Sequence, residues 1–410
     1  MSVPSCRFCH APLSTRFVDL GLSPLCQNII PLEDASKPEA FYPLDVFVCG
    51  SCKLVQLDEF VSPSEIFTEY AYFSSYSDSL VAHAKKYVES MVTRLGLTSN
   101  DLAVEIASND GYLLQHFLPL GIPVTGIEPA KNVGAVAREK GIPVVHKFMG
   151  VETATQFLAE RGAASLLIGN NVLAHVPNIN DFVEGMRILL APGGTITMEF
   201  PHLLRLIEGN QFDTIYHEHF SYLSLIAVEK IFAAHGLTIF DVDELKIHGG
   251  SIRIYAQHTN IAPKLTSGLL KVRADEATAG FDTMAAYSDF GERVKLTKNR
   301  ILSKLIELKS QGKTIVGYGA PGKGNTLLNF CGIRTDYLDY TVDRNVYKQG
   351  KLLPGSRIPV NPVEKISETK PDYVFILPWN LTKEITGQLS YIREWGGKFI
   401  VPIPEVSILD

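Results

Sequence analysis

Hydrophobic residues in the middle of this chain come in short continuous runs, at 101–106, 124–127, 164–169 and 194–200, each bounded by small or polar residues. Runs of that length read as strands buried on both faces. A helix is predicted over about 80–97, behind the hydroxyl-dense run Ser74-Ser75-Tyr76-Ser77-Asp78-Ser79, with Ser77 or Asp78 as its N-cap. A second helix is expected over 112–117. The carboxyl-terminal third repeats the scheme, with strands at 313–318, 340–342 and 373–377 and a helix after the first of them. Residues 266–312 look largely helical and join the two parts. Strands alternating with helices predict an α/β protein with mainly parallel sheets.

With 410 residues the chain is too long for one ordinary core, so two or three domains are expected. Its composition, 46% hydrophobic and 20% charged, is that of a soluble globular protein. A formal charge of -6 gives no electrostatic reason to expect nucleic acid. No apolar run approaches the ~20 residues that span a bilayer. The first residues lack the pattern of a signal peptide. A cytoplasmic protein is expected, with no membrane partner.

Four of the cysteines form two close pairs, Cys6-Arg7-Phe8-Cys9 and Cys49-Gly50-Ser51-Cys52. Each pair can put two thiolates on one ion, and together they complete a closed tetrahedral zinc site of the structural kind. The gap of about 40 residues between them is wider than usual and requires a small lobe folded in between. Redox pairs are the rival reading, but no βαβ pattern surrounds them.

The run Val104-Glu105-Ile106-Ala107-Ser108-Asn109-Asp110-Gly111 is a strand entering a small-residue turn. The strand at 124–127 then ends in the acid Glu128. This is the layout of a nucleoside site, in which the acid takes the ribose hydroxyls. The fingerprint Gly-x-Gly-x-x-Gly is missing, which weakens a pyrophosphate reading. The turn suits S-adenosylmethionine, which has no phosphate to cradle. After the 164–169 strand come Asn170, Asn171 and His175, where substrate and cofactor meet in such folds.

Tyr216-His217-Glu218-His219-Phe220-Ser221-Tyr222 follows the strand at 194–200. A loop of satisfied polar groups is one reading. A metal site is another, although the spacing differs from His-Glu-x-x-His. Acid–base chemistry is the third: an imidazole titrates near neutral pH, a carboxylate orients it, and a phenol can donate to an oxyanion. In the carboxyl-terminal third, Gly317-Tyr318-Gly319-Ala320-Pro321-Gly322-Lys323-Gly324 nearly spells a Walker A loop, with Gly324 where the Mg²⁺-binding hydroxyl belongs. An ATPase is disfavoured; an anion site at a helix amino-terminus remains, as does a purely structural βαβ scaffold. Asp343 ends the next strand and Asn380 follows the third, while His248-Gly249-Gly250-Ser251-Ile252-Arg253 lies between the halves. Arg253 can pair with a phosphate or with an acid of the protein.

Taken in order, these motifs resemble the sugar-nucleotide C-methyltransferases that act at C-3' of 4-keto-deoxysugars, and the similarity covers essentially the full length. The resemblance implies a zinc-binding lobe (1–68), a class I S-adenosylmethionine-dependent methyltransferase domain of Rossmann-like fold (69–245) and a second Rossmann-like, sugar-nucleotide-binding domain (246–410). It implies structural zinc on Cys6, Cys9, Cys49 and Cys52, and S-adenosylmethionine on Ala107, Ser108, Asn109, Gly111, Glu128, Asn170 and Asn171. His219 is then the base, with Glu218, Tyr216, Tyr70 and His175 around it. Tyr76, Ser77, Tyr222, Ser251, Arg253, Gly319, Lys323, Asp343 and Asn380 contact a nucleoside-diphosphate 4-keto-deoxysugar. A monomer is expected. The rivals are a 4-keto-sugar epimerase or isomerase, which needs the same base but no methyl donor, and a non-catalytic sugar-nucleotide-binding protein.

Overall fold

The computed structural model describes residues 4–63, 65 and 73–410; Tyr70, expected near the base, lies outside them. The chain forms two compact units, one of residues 1–15, 48–203 and 218–284, the other of 16–47, 204–217 and 285–410.

The first unit is built on a seven-stranded sheet. Its strands are β1 (Ala103–Ile106), β2 (Val124–Ile127), β3 (Val144–Val145), β4 (Ala164–Asn170), β5 (Leu190–Pro201), β6 (Leu237–Leu245) and β7 (Ser251–His258). They lie in the order β3-β2-β1-β4-β5-β7-β6. The first five are mutually parallel, and β7 runs antiparallel between β5 and β6. Every residue of β1 and β2 is buried, as expected for strands covered on both faces. The helix Asp78–Leu95 covers one face with Ala84, Tyr87, Val88 and Met91, spaced along one helical stripe. Ser77 caps it by accepting from the Leu80 N–H, and Gly96 ends it in the left-handed conformation. The helix expected over 112–117 is instead two 3-10 turns, Leu114–His116 and Leu118–Leu120. Pro119 has no N–H, and its ring would meet the Gln115 carbonyl of an α-helix.

The second unit carries a sheet of β8 (Ile315–Tyr318), β9 (Thr341–Val342), β10 (Val360–Asn361), β11 (Tyr373–Ile376), β12 (Lys398–Val401) and β13 (Ser407–Leu409). The order is β10-β9-β8-β11-β12-β13, parallel except for β13. The direction of winding reverses between β8 and β11, which opens a crevice beyond their carboxyl ends.

The sequence boundaries and the seams of these units differ. Residues 16–47, inside the expected zinc lobe, pack in the second unit, where Phe17 stacks on Phe290 with ring centres 4.5 Å apart. The boundary expected at 245/246 falls between β6 and β7, two strands paired along their length.

Candidate active site

Cys6, Cys9, Cys49 and Cys52 bring their sulfurs within 4.8 Å of one another. The Cys6–Cys52 and Cys9–Cys49 separations are both 3.5 Å. A tetrahedral ion with Zn–S bonds of ~2.3 Å needs sulfurs about 3.8 Å apart, so the set fits zinc with no position left open. The Cys52 thiol, donating to Cys6, holds that sulfur down to about 4, and the same pairing and burial push Cys52 up. Among the described residues these cysteines form the one group of this kind. His217 is no part of a second: its Nε2 faces the Pro43 carbonyl at 3.1 Å, and burial lowers its pKa.

At the carboxyl ends of β1 and β2 the chain turns sharply. Ala107, Asn109 and Gly111 all have positive φ, at 56°, 50° and 75°. The turn presses close to β2, because a Cβ on Gly126 would lie 2.2 Å from Ser108 Oγ. Glu128 sits over it, one carboxylate oxygen accepting from the Asn109 N–H and the other from the Ala130 N–H, both at 2.9 Å. Each oxygen keeps a lone pair for a hydroxyl. Buried Glu105 is pushed well above the carboxylate range by desolvation and by Glu128 and Asp110. Glu105 is thus held as the neutral acid, and the turn offers acceptors instead: the Glu128 carboxylate and the buried, unpartnered oxygens of Asn170 and Asn171. S-adenosylmethionine, with its sulfonium and ammonium groups, fits this donor set. Replacing Glu128 with Ala is expected to weaken binding of S-adenosylhomocysteine by about 10–100-fold, the worth of one or two charge-assisted hydrogen bonds; calorimetry measures it.

Asn109 and Asp110 also turn outward. Asn109 Oδ1 accepts from the Ser74 N–H at 3.0 Å, and Asp110 accepts from the Ser75 N–H at 3.2 Å and from its hydroxyl. They thereby latch the Ser74–Tyr76 turn to the cofactor turn. Ser77 is the helix cap already described, and Tyr76 stands exposed, its ring against Phe73.

Beyond β4, His175 ends the 3-10 turn Leu173–His175. Its ring meets that of His219 edge-on, centres 4.8 Å apart, and the Tyr222 ring centre lies 6.3 Å from that of His219. Burial lowers His175 to about 4, against the smaller opposing effect of its hydrogen bond to the Glu218 backbone. It is thus a neutral imidazole at pH 7. A histidine whose folded pKa lies below its unfolded value of ~6.5 binds its proton more readily in the unfolded chain. The stability it allows is complete above that value and is lost as pH falls towards 4. The variant H175Q should therefore lose less stability than the wild type between pH 6.5 and 4 in denaturant titrations.

Glu218 is buried and His219 half-buried, both in the first unit, whereas Tyr216 and His217 belong to the second. Ser251 is buried where β7 begins, opposite Pro201. Arg253 is buried as well. It pairs with Glu199 at 2.5 Å and lies over the Tyr87 ring, so the acid of the protein is its partner. His83 joins Glu199 at 3.1 Å. Glu199 was marked in the sequence only as an acid inside an apolar run, and His83 by nothing.

In the second unit, Gly319 turns with φ 89° against Pro378, and Asp343 accepts from the Ala320 and Asn345 N–H groups at 2.6 and 2.7 Å. Lys323 donates to Asn380 at 2.9 Å and lies 4.8 Å from the Trp379 ring centre. The Trp379 indole donates to Asp213 at 2.7 Å. Burial raises Asp213 to about 6, although Lys323 opposes it, and lowers Lys323. Gly319, Lys323, Asp343 and Asn380 thus gather at the crevice between β8 and β11. Asp213 joins them from a loop with no periodic signal.

The sheet order with its one reversed inner strand and the sharp turn under Glu128 define a class I S-adenosylmethionine-dependent methyltransferase. Three family models match in sequence: a zinc binding domain over 6–67, a methyltransferase domain over 80–242 and a C-methyltransferase C-terminal domain over 246–404. C-methyltransferase NovU of Streptomyces niveus is 37% identical over 407 residues, 99% of this chain and 97% of that protein. The chain belongs to this C-methyltransferase family, and its four cysteines are the structural zinc site. Solved structures give partial matches. A methyltransferase from Clostridium acetobutylicum is 12% identical with a TM-score of 0.35, over 42% of this chain and 90% of its own. The CcbJ methyltransferase from Streptomyces caelestis is 12% identical with a TM-score of 0.34, over 43% and 89%. Among the described residues no helix is long and apolar enough to cross a membrane.

Proposed function

We propose that this enzyme methylates C-3' of a nucleoside-diphosphate 4-keto-deoxysugar. The observation that carries the reading is the placement of His219, half-buried against a neutral His175 on a segment hydrogen-bonded to Ala174 of the Leu173–His175 turn. A carbon acceptor is a poor nucleophile until it loses a proton, and a neighbouring carbonyl makes that proton acidic. S-adenosylmethionine, when bound, supplies a methyl group on a sulfonium, an electrophile for the resulting carbanion.

His219 takes the C-3' proton, and Glu218 orients it. Neutral His175 keeps its N–H on the Glu218 backbone and adds no competing charge beside the base. Tyr216 donates to the oxygen at C-4' as negative charge develops there, with Tyr70 as a second phenol. Tyr76, Ser77, Tyr222 and Ser251 are assigned to the sugar. Lys323 and Asn380, beside the Gly319 turn, are assigned to the diphosphate, and Asp343 to hydroxyls of the nucleoside. Arg253 is assigned to holding Glu199 and His83 in place.

Deuterium exchange isolates the first step. In D₂O with S-adenosylhomocysteine in place of the methyl donor, the enzyme should wash deuterium into C-3' of a nucleoside-diphosphate 4-keto-6-deoxysugar, and H219N should not. Equal exchange by both would remove His219 from this role. Stabilisation by S-adenosylhomocysteine alone, seen as a raised Tm, distinguishes the reading from an epimerase.

A further inference from the structure

Arg7 lies between the paired cysteines of the first zinc knuckle. Its backbone N–H donates to Gln56 Oε1 at 2.9 Å, and Gln56 Nε2 donates to Cys6 Sγ at 3.2 Å. Its guanidinium reaches away from the sulfurs. One arm donates to the Leu57 carbonyl, the other to the Pro177 carbonyl at 3.1 Å, and the group lies over the Phe220 ring, 5.5 Å from its centre. Two of these contacts bear on a histidine segment. Pro177 follows His175 by two residues, and Phe220 is the residue after His219. The backbone makes the same connection. The Phe220 N–H donates to the Ala174 carbonyl at 2.8 Å, and the Leu57 N–H to the Phe220 carbonyl at 3.0 Å. The strand Val55–Leu57, three residues past Cys52, pairs antiparallel with Ser221–Tyr222. Asn180, on the helix after His175, donates to the Phe8 carbonyl at 2.9 Å.

We infer that Arg7 is a positioning residue for methyl transfer: it fastens the segments bearing His175 and His219 to the cysteine knuckle, so that the closed metal centre sets the spacing of the two rings. The inference rests on the reading of His219 as the base. Its physical basis is the shape of the guanidinium. A planar fork bonds two carbonyls on separate segments while its face covers an aromatic ring; a lysine ammonium is a single point of charge and cannot hold all three. Without the fork the short ladder still ties the strands, so the fold persists while the rings gain freedom. A displacement near 1 Å at a reacting group costs up to about 10²-fold in rate.

The test uses zinc-loaded full-length R7A and R7K. Bound zinc and the affinity for S-adenosylhomocysteine should stay within about twofold of wild type in both. Their kcat should fall by about 10–100-fold with KM for the 4-keto-sugar nucleotide changed less than threefold. Added guanidinium chloride, at millimolar concentrations that leave the protein folded, should restore part of the rate to R7A and none to R7K. The ring carbon–proton signals of His175 and His219 in R7K should shift, while those of His258 stay in place. Wild-type kcat in R7A, unmoved ring signals in R7K, or a rate loss that tracks zinc loss and resists guanidinium would each overturn the inference. H219N, run alongside, separates the two claims: if it is inactive and R7A is fully active, Arg7 alone is wrongly assigned; if it is fully active, the base is.

Discussion

Replacing His219 with Asn should lower kcat by about 10²–10⁴-fold, the usual contribution of a general base, while affinity for S-adenosylhomocysteine stays near wild type. The expectation follows from where the side chain sits. His219 lies in the first unit, half-buried, with its ring against that of His175 at the end of the Leu173–His175 turn that follows β4. Asn keeps the volume and a hydrogen-bond donor but cannot accept the proton. His175 cannot stand in, because it is held neutral with a pKa of about 4 and is a correspondingly weak base. His175 should therefore not restore the rate as the pH is raised. Steady-state rates together with ligand calorimetry make the comparison. A variant that bound the cofactor product weakly and lost rate in proportion would place His219 in the cofactor site instead.

Loss of one knuckle cysteine should have the second large effect. Cys49→Ser leaves three thiolates around a centre whose sulfurs sit within 4.8 Å. Bound zinc should fall from one per chain to substoichiometric, and stability should drop by about 4 kcal/mol or more, the range reserved for lost metals and disrupted buried networks. The damage should extend past the knuckle. Leu57 and Gln56 are paired with Phe220 and Ser221, so disorder in the strand Val55–Leu57 reaches the residue beside His219. Metal analysis and thermal unfolding measure both parts; full zinc content with an unchanged Tm would show that the cysteines do not hold the ion. Because thiolate ligands must be deprotonated, acidification should release the metal from the wild type as well.

The sharp turn assigned to the cofactor was legible in the sequence because its signals are local. A buried apolar run, a turn of small residues and an acid at the next strand's end each fix the backbone within a few residues, and the structure places Ala107, Asn109, Gly111 and Glu128 at one turn. The cysteine pairs were legible for the same reason. What stayed hidden depends on contacts between distant segments. Arg253 read equally as a phosphate ligand, and only the pairing of β7 with β5 sets it opposite Glu199. Nothing near Asp213 announces that Trp379 and Lys323 will close around it. The helix expected over 112–117 failed locally, since Pro119 weighs more than the apolar spacing before it. The extent of the central sheet was obscured by β7, which lies after the Gly249-Gly250 turn and reads as the start of something new.

The most direct test of the central claim is mass spectrometry of a reaction containing S-adenosylmethionine and a panel of nucleoside-diphosphate 4-keto-6-deoxysugars. The account predicts that one sugar gains the mass of a single methylene group, with S-adenosylhomocysteine released in equal amount and the new methyl on C-3'. Solvent deuterium incorporated with no methyl gained, or a methyl found on oxygen or nitrogen, would contradict it.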